Sequence, residues 1–190
     1  MGAVTCYATT CVAVGESAAI STDGGETWTE ESSGFDALLS VSCGAGGTAC
    51  IAIGPNPGGL GQPTDMGYLS VSSDGGAVWT PQGSDLPAST ATIQDVSCGD
   101  STDCMVVGPS PQGSTGSLVI ATTSDSGTSW TSLTGPTGFA TNPTNLSPLA
   151  FPAVSCPSGS HCVIVGGTSS GPLVSVTTNG GQSWSTATVQ

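Results

Sequence analysis

The sequence contains 190 residues, with no lysine or arginine, thirteen aspartates and glutamates and one histidine, so its formal net charge is −13 at pH 7. A chain without cationic side chains cannot neutralise phosphates or acidic lipid headgroups, which excludes nucleic-acid binding and attachment to anionic membranes. No apolar run approaches the roughly 20 residues of a membrane-spanning helix, so we expect no membrane insertion.

The predicted elements form a unit of strands that occurs four times. Each unit opens with a short strand ending in cysteine, at residues 4–6, 41–43, 96–98 and 154–156. After a small polar turn, a second cysteine begins an apolar run, at residues 11–14, 50–53, 104–107 and 162–165. Unbroken apolar runs predict strands covered on both faces, because a strand with one face in solvent would alternate. A third strand is plain at residues 68–71, 118–121 and 173–176.

Each unit then carries an eight-residue segment with the pattern hydroxyl, any, Asp or Asn, any, Gly, any, any, Trp, and all four tryptophans of the protein end a copy of it. The acidic or amide side chain can accept hydrogen bonds from backbone amides further along, and the glycine permits positive φ. The segment therefore predicts a turn into a fourth strand, with the indole lying back on the sheet and its N–H needing one partner. The pattern residues are Ser21, Asp23, Gly25 and Trp28; Ser72, Asp74, Gly76 and Trp79; Thr123, Asp125, Gly127 and Trp130; Thr177, Asn179, Gly181 and Trp184.

This segment resembles the Asp box, or BNR repeat, of sialidases, Vps10-type receptors and photosystem II assembly-factor-like propellers. Asn179 is the one departure, at the acidic position. The resemblance implies a structural turn between the third and fourth strands of a propeller blade, without a catalytic role. We therefore predict an all-β fold, a β-propeller of four four-stranded blades in a single domain over 1–190, with repeats at roughly 1–36, 37–90, 91–148 and 149–190.

Two cysteines bracket the first hairpin turn of each repeat, which makes eight in all. Eight cysteines allow 105 pairings in principle, but the repeat favours Cys6–Cys11, Cys43–Cys50, Cys98–Cys104 and Cys156–Cys162. Zinc is the rival interpretation, yet each hairpin offers two thiolates where a site needs four ligands, and only His161 could add a nitrogen. We predict disulfides, no metal and no cofactor, and hence an oxidising, extracellular or cell-surface location.

The connections differ in length and are rich in proline and glycine. The longest runs from Gly135 to Pro152 and is predicted to be a stiff loop without strand structure. It contains Asn145 in a glycosylation sequon, a possible modification site. No secretory signal is visible at the N-terminus, which suggests a mature form, a fragment or a trimmed chain.

Catalysis is not expected, although the box occurs in sialidases. Sialidases resemble one another in an arginine cluster that holds the substrate carboxylate, and this chain has no arginine. Other propellers with this box hydrolyse glucans with two acids. The loop carboxylates available for such a pair are Asp36, Asp65, Asp85, Asp95, Asp100 and Asp103, and no pair stands out by spacing.

The point within the repeat at which the given sequence starts and stops bears on the predicted function. Four whole blades are present, and the overlap of first and last strands that closes most propellers is missing, so we expect two complementary unsatisfied ends. Head-to-tail contact between such ends makes a ring or an open filament. The favoured function is a non-catalytic extracellular structural protein whose partner is itself, assembling into a filament or sheath. The alternatives are a secreted module binding a surface glycan or protein, and a truncated glycoside hydrolase domain.

Overall fold

The computed structural model describes residues 2–31, 38–55, 67–82, 93–109, 117–139, 152–168 and 171–188. These segments form sixteen strands and contain no helix. The strands make four separate four-stranded antiparallel sheets, in each of which sequence neighbours are also spatial neighbours. The predicted all-β propeller of four four-stranded blades is confirmed. No helix in the described segments could cross a membrane.

Each blade is an up-and-down meander. Blade 1 consists of β1 (Ala3–Tyr7), β2 (Thr10–Val14), β3 (Ala18–Ser21) and β4 (Thr29–Glu31). Blade 2 consists of β5 (Ser40–Cys43), β6 (Cys50–Pro55), β7 (Gly67–Ser72) and β8 (Thr80–Gln82). Blade 3 consists of β9 (Asp95–Cys98), β10 (Cys104–Gly108), β11 (Ser117–Thr123) and β12 (Thr131–Thr137). Blade 4 consists of β13 (Ala153–Ser155), β14 (Cys162–Thr168), β15 (Gly171–Thr177) and β16 (Ser185–Thr188).

The four disulfides lie in the first hairpin of each blade, as predicted. In blades 1 to 3 the two cysteines face each other directly across the first strand pair. All four pairs have Cα atoms only 3.9–4.1 Å apart, and no cysteine is free. Each disulfide therefore links the first two strands of its blade next to the hairpin turn that joins them. All eight cysteines are disulfide-bonded, so none is available as a thiolate ligand for a metal.

Three hydrophobic clusters join the blades face to face. One lies between blades 1 and 2 around Val12 and Trp79, one between blades 2 and 3 around Ile51 and Trp130, and one between blades 3 and 4 around Met105. The described residues of blades 4 and 1 share no such cluster. Four blades are thus joined by three interblade cores, and the outer faces of the first and last blades lack this cover.

The predicted double coverage of the second strand is confirmed for the two central blades. Strand β10 is buried along its whole length, and β6 is buried from Cys50 to Gly54. The same prediction is wrong for β14, where buried and accessible residues alternate and Val165 is 44% exposed. The reason is position, because β14 has a neighbouring blade on one side only among the described residues.

The segment from Gly135 to Pro152 is also corrected in part. Gly135 and Pro136 belong to β12, which continues to Thr137 with a register irregularity opposite Ser117–Val119. Strand β12 is the outermost strand of its sheet, so a proline there removes no ladder hydrogen bond. Asn145, in the same segment, lies outside the described residues.

Candidate functional site

The box turn of blade 1 is closed by its own side chains. The Asp23 carboxylate accepts hydrogen bonds from Ser21 Oγ at 2.7 Å, from the Thr27 backbone N–H at 2.9 Å and from Thr27 Oγ1 at 2.5 Å. The Ser21 hydroxyl in turn accepts from the Gly25 N–H at 2.8 Å. The turn lies between β3 and β4, where the sequence pattern predicts it. The polar groups of this turn bond to one another, so the hydrogen bonds of the Asp23 carboxylate are made within the turn.

The other three box turns repeat this arrangement. Their first-position hydroxyls accept from the glycine N–H at 2.8–2.9 Å, in the pairs Ser72 and Gly76, Thr123 and Gly127, Thr177 and Gly181. Their third-position oxygens accept from the N–H four residues on at 2.8–3.0 Å, in the pairs Asp74 and Val78, Asp125 and Ser129, Asn179 and Ser183. Asn179 keeps the geometry because one amide oxygen suffices, and its Nδ2 donates to Ser183 Oγ at 2.8 Å.

The same hydrogen bonds set the charge state of the box aspartates. The Ser129 hydroxyl and N–H lower the pKa of Asp125 to about 2. Hydrogen bonds from the Thr27 hydroxyl and N–H hold the pKa of Asp23 well below its ordinary value, and the Val78 N–H lowers the pKa of Asp74. All three carboxylates are therefore anionic at neutral pH, which makes them unsuited to donate a proton to a leaving group.

The box tryptophans differ in burial according to blade position. Trp79 and Trp130 are 7% and 9% exposed, whereas Trp28 is 42% exposed. The expected indole partner is present in two blades, because Trp28 Nε1 and Trp130 Nε1 donate to the box glycine carbonyls at 3.0 and 3.1 Å. In blades 2 and 4 the buried indole N–H of Trp79 and of Trp184 finds no partner among the described residues, contrary to that expectation.

The box glycines lie where one blade meets the previous one. A Cβ on Gly127 would fall 2.7 Å from Val71 Cγ1, and a Cβ on Gly76 would fall 3.0 Å from Val12 Cγ2. At Gly25, by contrast, the nearest atom belongs to the blade's own Trp28, at 3.8 Å. The box turn of each later blade thus packs against the previous blade, whereas no other blade among the described residues lies against Gly25.

Sequence reasoning missed a set of polar contacts between the first strands of neighbouring blades. The Cys98 N–H donates to Ser42 Oγ at 3.0 Å, and the Cys156 N–H donates to Ser97 Oγ at 2.9 Å. Asp95 joins three blades, because its carboxylate accepts from Ser40 Oγ at 2.7 Å and from the Val154 N–H at 2.8 Å. The recurring Val-Ser-Cys triplet of repeats 2 to 4 is the sequence signal that could have revealed the serine contacts.

The structure brings together two of the loop carboxylates considered for hydrolysis. In the turn between β9 and β10, Asp100 Oδ1 accepts from the Asp103 N–H at 2.7 Å. The Asp103 and Thr102 N–H groups lower the pKa of Asp100, while burial and the Asp100 carboxyl raise the pKa of Asp103. The Asp100 carboxylate accepts from the N–H groups of Thr102 and Asp103 in its own turn, so it is held by backbone as the box carboxylates are.

The remaining loop acids do not add to this pair in the described structure. Asp95 is held between three blades, as described above, while Asp36, Asp65 and Asp85 lie outside the described residues. No group of three or more histidine, cysteine, aspartate or glutamate side chains in the described chain could hold a metal ion.

Hydroxyl-lined grooves lie on the box side between successive blades. The groove between blades 2 and 3 has a volume of about 540 Å³ and is lined by side chains including Thr48, Thr80 and Thr128. The groove between blades 1 and 2 measures about 410 Å³ and is lined by side chains including Thr27 and Thr29. Their linings offer hydroxyl donors and acceptors; Asp74 lines both grooves, and Glu31 adds a second carboxylate to the groove between blades 1 and 2.

The outer faces of the two end blades carry apolar side chains. The leading face of blade 1 comprises Val4, Ala13, Ala19 and Trp28, and the trailing face of blade 4 comprises Val163, Val165, Val174 and Val176. Val4 is 61% exposed, although the matching valines of the other blades are all buried. The four trailing valines pair across β14 and β15, Val163 with Val176 and Val165 with Val174, and all remain at least partly accessible.

The sequence matches no protein-family model and no curated protein. Solved structures do match. YCF48 from Cyanidioschyzon merolae aligns over 99% of this chain and 56% of its own, with a TM-score of 0.58 and 18% identity. An ancestral GH74 enzyme aligns over 95% of this chain and 23% of its own, at 0.59 and 15%. A mutant of Trypanosoma rangeli sialidase displaying trans-sialidase activity aligns over 98% and 37%, at 0.54 and 14%.

The chain thus spans about half of YCF48 and smaller shares of the two enzymes. At these identities the likeness concerns the fold. The likeness shows the β-propeller fold, and the four turns described above carry the Asp-box, or BNR, pattern.

Proposed function

We propose that this chain is a non-catalytic structural protein of an oxidising, extracellular or cell-surface environment, whose copies assemble into a filament or sheath. The unit of assembly is a single propeller domain, residues 1–190. In this proposal the sixteen box residues are structural, since each turn uses its carboxylate or amide to hold its own backbone. The four hairpin disulfides support the oxidising environment.

The observation that carries the proposal is the pair of uncovered apolar faces. Val4 on the leading face and Val165 on the trailing face are 61% and 44% exposed, and Trp28 is 42% exposed. Accessible apolar side chains on the outer faces of the first and last blades favour association, because burying apolar area stabilises by about 25 cal/mol per Å². Two distinct faces on one subunit allow each copy to bind two neighbours.

The charge of the chain sets the conditions for this assembly. Every copy carries a formal charge of −13 without a compensating cation, so copies repel one another over long range. Salt shortens the range of that repulsion to about 8 Å at physiological ionic strength and about 3 Å at 1 M. Apolar contact is unaffected by this screening. Assembly should therefore strengthen as salt is added, the opposite of an interface held by ion pairs.

The test is direct imaging and light scattering of the disulfide-intact chain, from low salt to about 1 M NaCl. We expect particles that lengthen with protein concentration and with salt. A closed particle of fixed size would indicate that the copies form a ring instead of a filament, although they would still self-associate. Monomers under all conditions would overturn the proposal.

A second candidate function, as a secreted module that binds a glycan or protein, is favoured by the hydroxyl-lined grooves between blades. The groove between blades 2 and 3 offers Thr48, Thr80 and Thr128 within about 540 Å³. Glycan-array binding by unassembled chain would support this function, provided that Thr48→Val reduces the signal. Equal binding by the Thr48→Val variant would assign the signal to another surface.

A further inference from the structure

The three interblade contacts inside the chain follow one rule. The trailing side of each blade presents bulky residues from its second and third strands, such as Ile51 and Val71 in blade 2. The leading side of the next blade presents the disulfide, small residues and the box tryptophan, such as Cys104, Ala121 and Trp130 in blade 3. Bulky side chains of one blade thus pack against the cysteine, the small residues and the tryptophan of the next, together with larger residues such as Val106 in blade 3 and Ile164 in blade 4.

The box glycine fixes the register of this contact. In all three contacts it lies over the residue that follows the second cysteine of the previous blade: Gly76 over Val12, Gly127 over Ile51 and Gly181 over Met105. At Gly127 the contact also includes Val71, the residue that precedes the box hydroxyl Ser72 of blade 2. A Cβ at these glycines would lie within 3.2 Å of these partners, so the fit leaves no room for a side chain.

The two end faces carry the two halves of the same pattern. The trailing face of blade 4 presents Val163, which follows Cys162, and Val176, which precedes the box hydroxyl Thr177. The leading face of blade 1 presents Ala13, Ala19 and an accessible Trp28 beside Gly25, whose Cβ direction is open. The trailing face of blade 4 thus supplies the valines, and the leading face of blade 1 supplies the alanines and the box tryptophan. These are the two kinds of surface that meet in the three internal contacts.

The first strands match as well. The serine of the Val-Ser-Cys triplet in one blade accepts from the cysteine N–H of the next blade, as Ser42 does for Cys98 and Ser97 does for Cys156. Blade 4 presents the third such serine, Ser155, exposed on β13. Blade 1 presents the corresponding cysteine, Cys6, exposed on β1.

The residue after the first cysteine differs among the blades. In blades 2 and 3 it is Gly44 or Gly99, which allows close approach of the next blade's turn, whereas in blade 1 it is Tyr7, and a Cβ on Gly47 of blade 2 would fall 3.2 Å from Tyr7 Cβ. Blade 4 has Pro157 at that position, which needs more room. The turn of blade 1 that would face it is the shortest of the four, with cysteines 5 apart in sequence against 6 or 7 elsewhere.

From these matches we infer that copies join head to tail, the trailing face of blade 4 receiving the leading face of blade 1 of a second copy, with Gly25 and Trp28 seated on Val163 and Val176. This inference rests on the proposed self-assembly and specifies its contact. The contact is heterologous, because the two surfaces differ; it generates a ring if the rotation from copy to copy closes and a filament if it does not. The Cys6 N–H of the second copy then donates to Ser155 Oγ of the first.

The test uses two variants of the full chain, each blocking one face. Val4→Asp places a charge on the leading face, and Val165→Asp places one on the trailing face; both valines are accessible, so neither change disturbs a packed core. An unpaired carboxylate buried at the contact should weaken self-association about 100-fold or more. Each variant alone should be a monomer of 18.3 kDa. An equimolar mixture should form a heterodimer and stop there, because the two remaining faces are blocked.

The control and the contrary outcomes are specific. Leu39→Asp adds the same charge at an aliphatic side chain that is 39% exposed and lies just before β5, away from both end faces, and should assemble like the unmodified chain. If Val4→Asp alone still forms dimers, the contact joins like faces, and the inference fails while the proposed self-assembly stands. If the unmodified chain is monomeric at all concentrations, the proposed function fails as well.

A second pair of variants tests the register without adding charge. Gly25→Ala and Gly24→Ala strain the backbone alike, since both glycines have positive φ, +97° and +81°. Only Gly25 should face Val163 and Val176 of the neighbour, so Gly25→Ala should weaken association about 10-fold more than Gly24→Ala. Equal effects of the two substitutions would overturn the assigned register.

Discussion

The box glycines combine two constraints that the sequence pattern does not separate. Their positive φ, +97° at Gly25 and +89° at Gly127, is required by the turn in every blade. Close approach of a neighbouring blade is required only where a neighbour exists. Gly127 therefore lacks a side chain for both reasons, whereas Gly25 lacks one for the turn alone within a single chain.

Comparing Gly127→Ala with Gly25→Ala measures the interblade contact separately from backbone strain. Both substitutions carry the cost of positive φ, but only the Gly127 Cβ would fall 2.7 Å from Val71 Cγ1. We expect Gly127→Ala to lower the free energy of unfolding by about 1–3 kcal/mol more than Gly25→Ala. Denaturant unfolding at concentrations where the chain is monomeric checks this. Equal losses would mean that the blades separate slightly to accommodate the methyl group.

Asp95 is a second residue whose role depends on neighbours far away in sequence. Its carboxylate accepts from Ser40 Oγ in blade 2 and from the Val154 N–H in blade 4. Asp95→Asn offers one acceptor oxygen instead of two, so one donor loses its partner. We expect a loss of about 1.5–3 kcal/mol in unfolding free energy, the usual range for hydrogen bonds to charged groups. Asp103→Asn, in the adjacent turn, is the control and should cost less, because burial already disfavours the charged form of Asp103.

At the scale of the element, the hairpin disulfide replaces the ionic contacts that this composition forbids. Short loops such as these stabilise by about 2 kcal/mol each by restricting the unfolded chain. The four disulfides have similar loop lengths, so this contribution is nearly uniform among blades. What differs is packing, because Cys104 belongs to the core between blades 2 and 3, while Cys6 on β1 is exposed.

Removing single disulfides should separate these two contributions. Cys6→Ala with Cys11→Ala should cost about 2 kcal/mol of unfolding free energy from loop entropy, with a further loss where Cys11 is buried. Cys98→Ala with Cys104→Ala should cost at least about 1 kcal/mol more, because both cysteines of that pair pack in the core between two blades. Thermal and denaturant unfolding of the two double variants gives the comparison. Equal costs would mean that the interior disulfide contributes nothing through packing.

At the scale of the whole molecule, charge and pH act together. The lowered pKa values of Asp23, Asp74 and Asp125 mean that the folded state binds protons less readily than the unfolded chain. Their contribution to stability is complete above the unfolded pKa of about 3.9 and is lost as pH falls through the folded values. Because the chain has no lysine or arginine, acid does not build up the positive repulsion that usually adds to this loss.

We therefore expect a melting temperature that changes little from pH 7 to about pH 4.5 and falls between about pH 4 and pH 2, toward the Asp125 pKa of about 2. Asp125→Asn should make that fall shallower, since blade 4 already builds the same turn with Asn179. Calorimetry across pH on monomeric chain provides the measurement. A fall centred above pH 5 would contradict this assignment, because none of the box carboxylates titrates there.

The sequence by itself determined the blade. The four copies of the box, the paired cysteines and the apolar runs depend on contacts within about 50 residues, and local turn chemistry and strand pairing are legible in such patterns. Strand order, the disulfides and the box positions followed from them. Even the exception at Asn179 was visible, and its tolerance has a simple cause, since one amide oxygen replaces the carboxylate.

Only the tertiary structure decided what each blade faces. Equivalent residues such as Trp28 and Trp130 occupy the same position of the box pattern but differ in exposure, because burial depends on whether another blade lies beside them. The same holds for Val165 in β14, for the strand at Gly135 and Pro136, and for Asp95, whose partners come from two other blades. Contacts between blades join residues far apart in the chain, so the local patterns that predict a blade do not say which of its faces another blade covers.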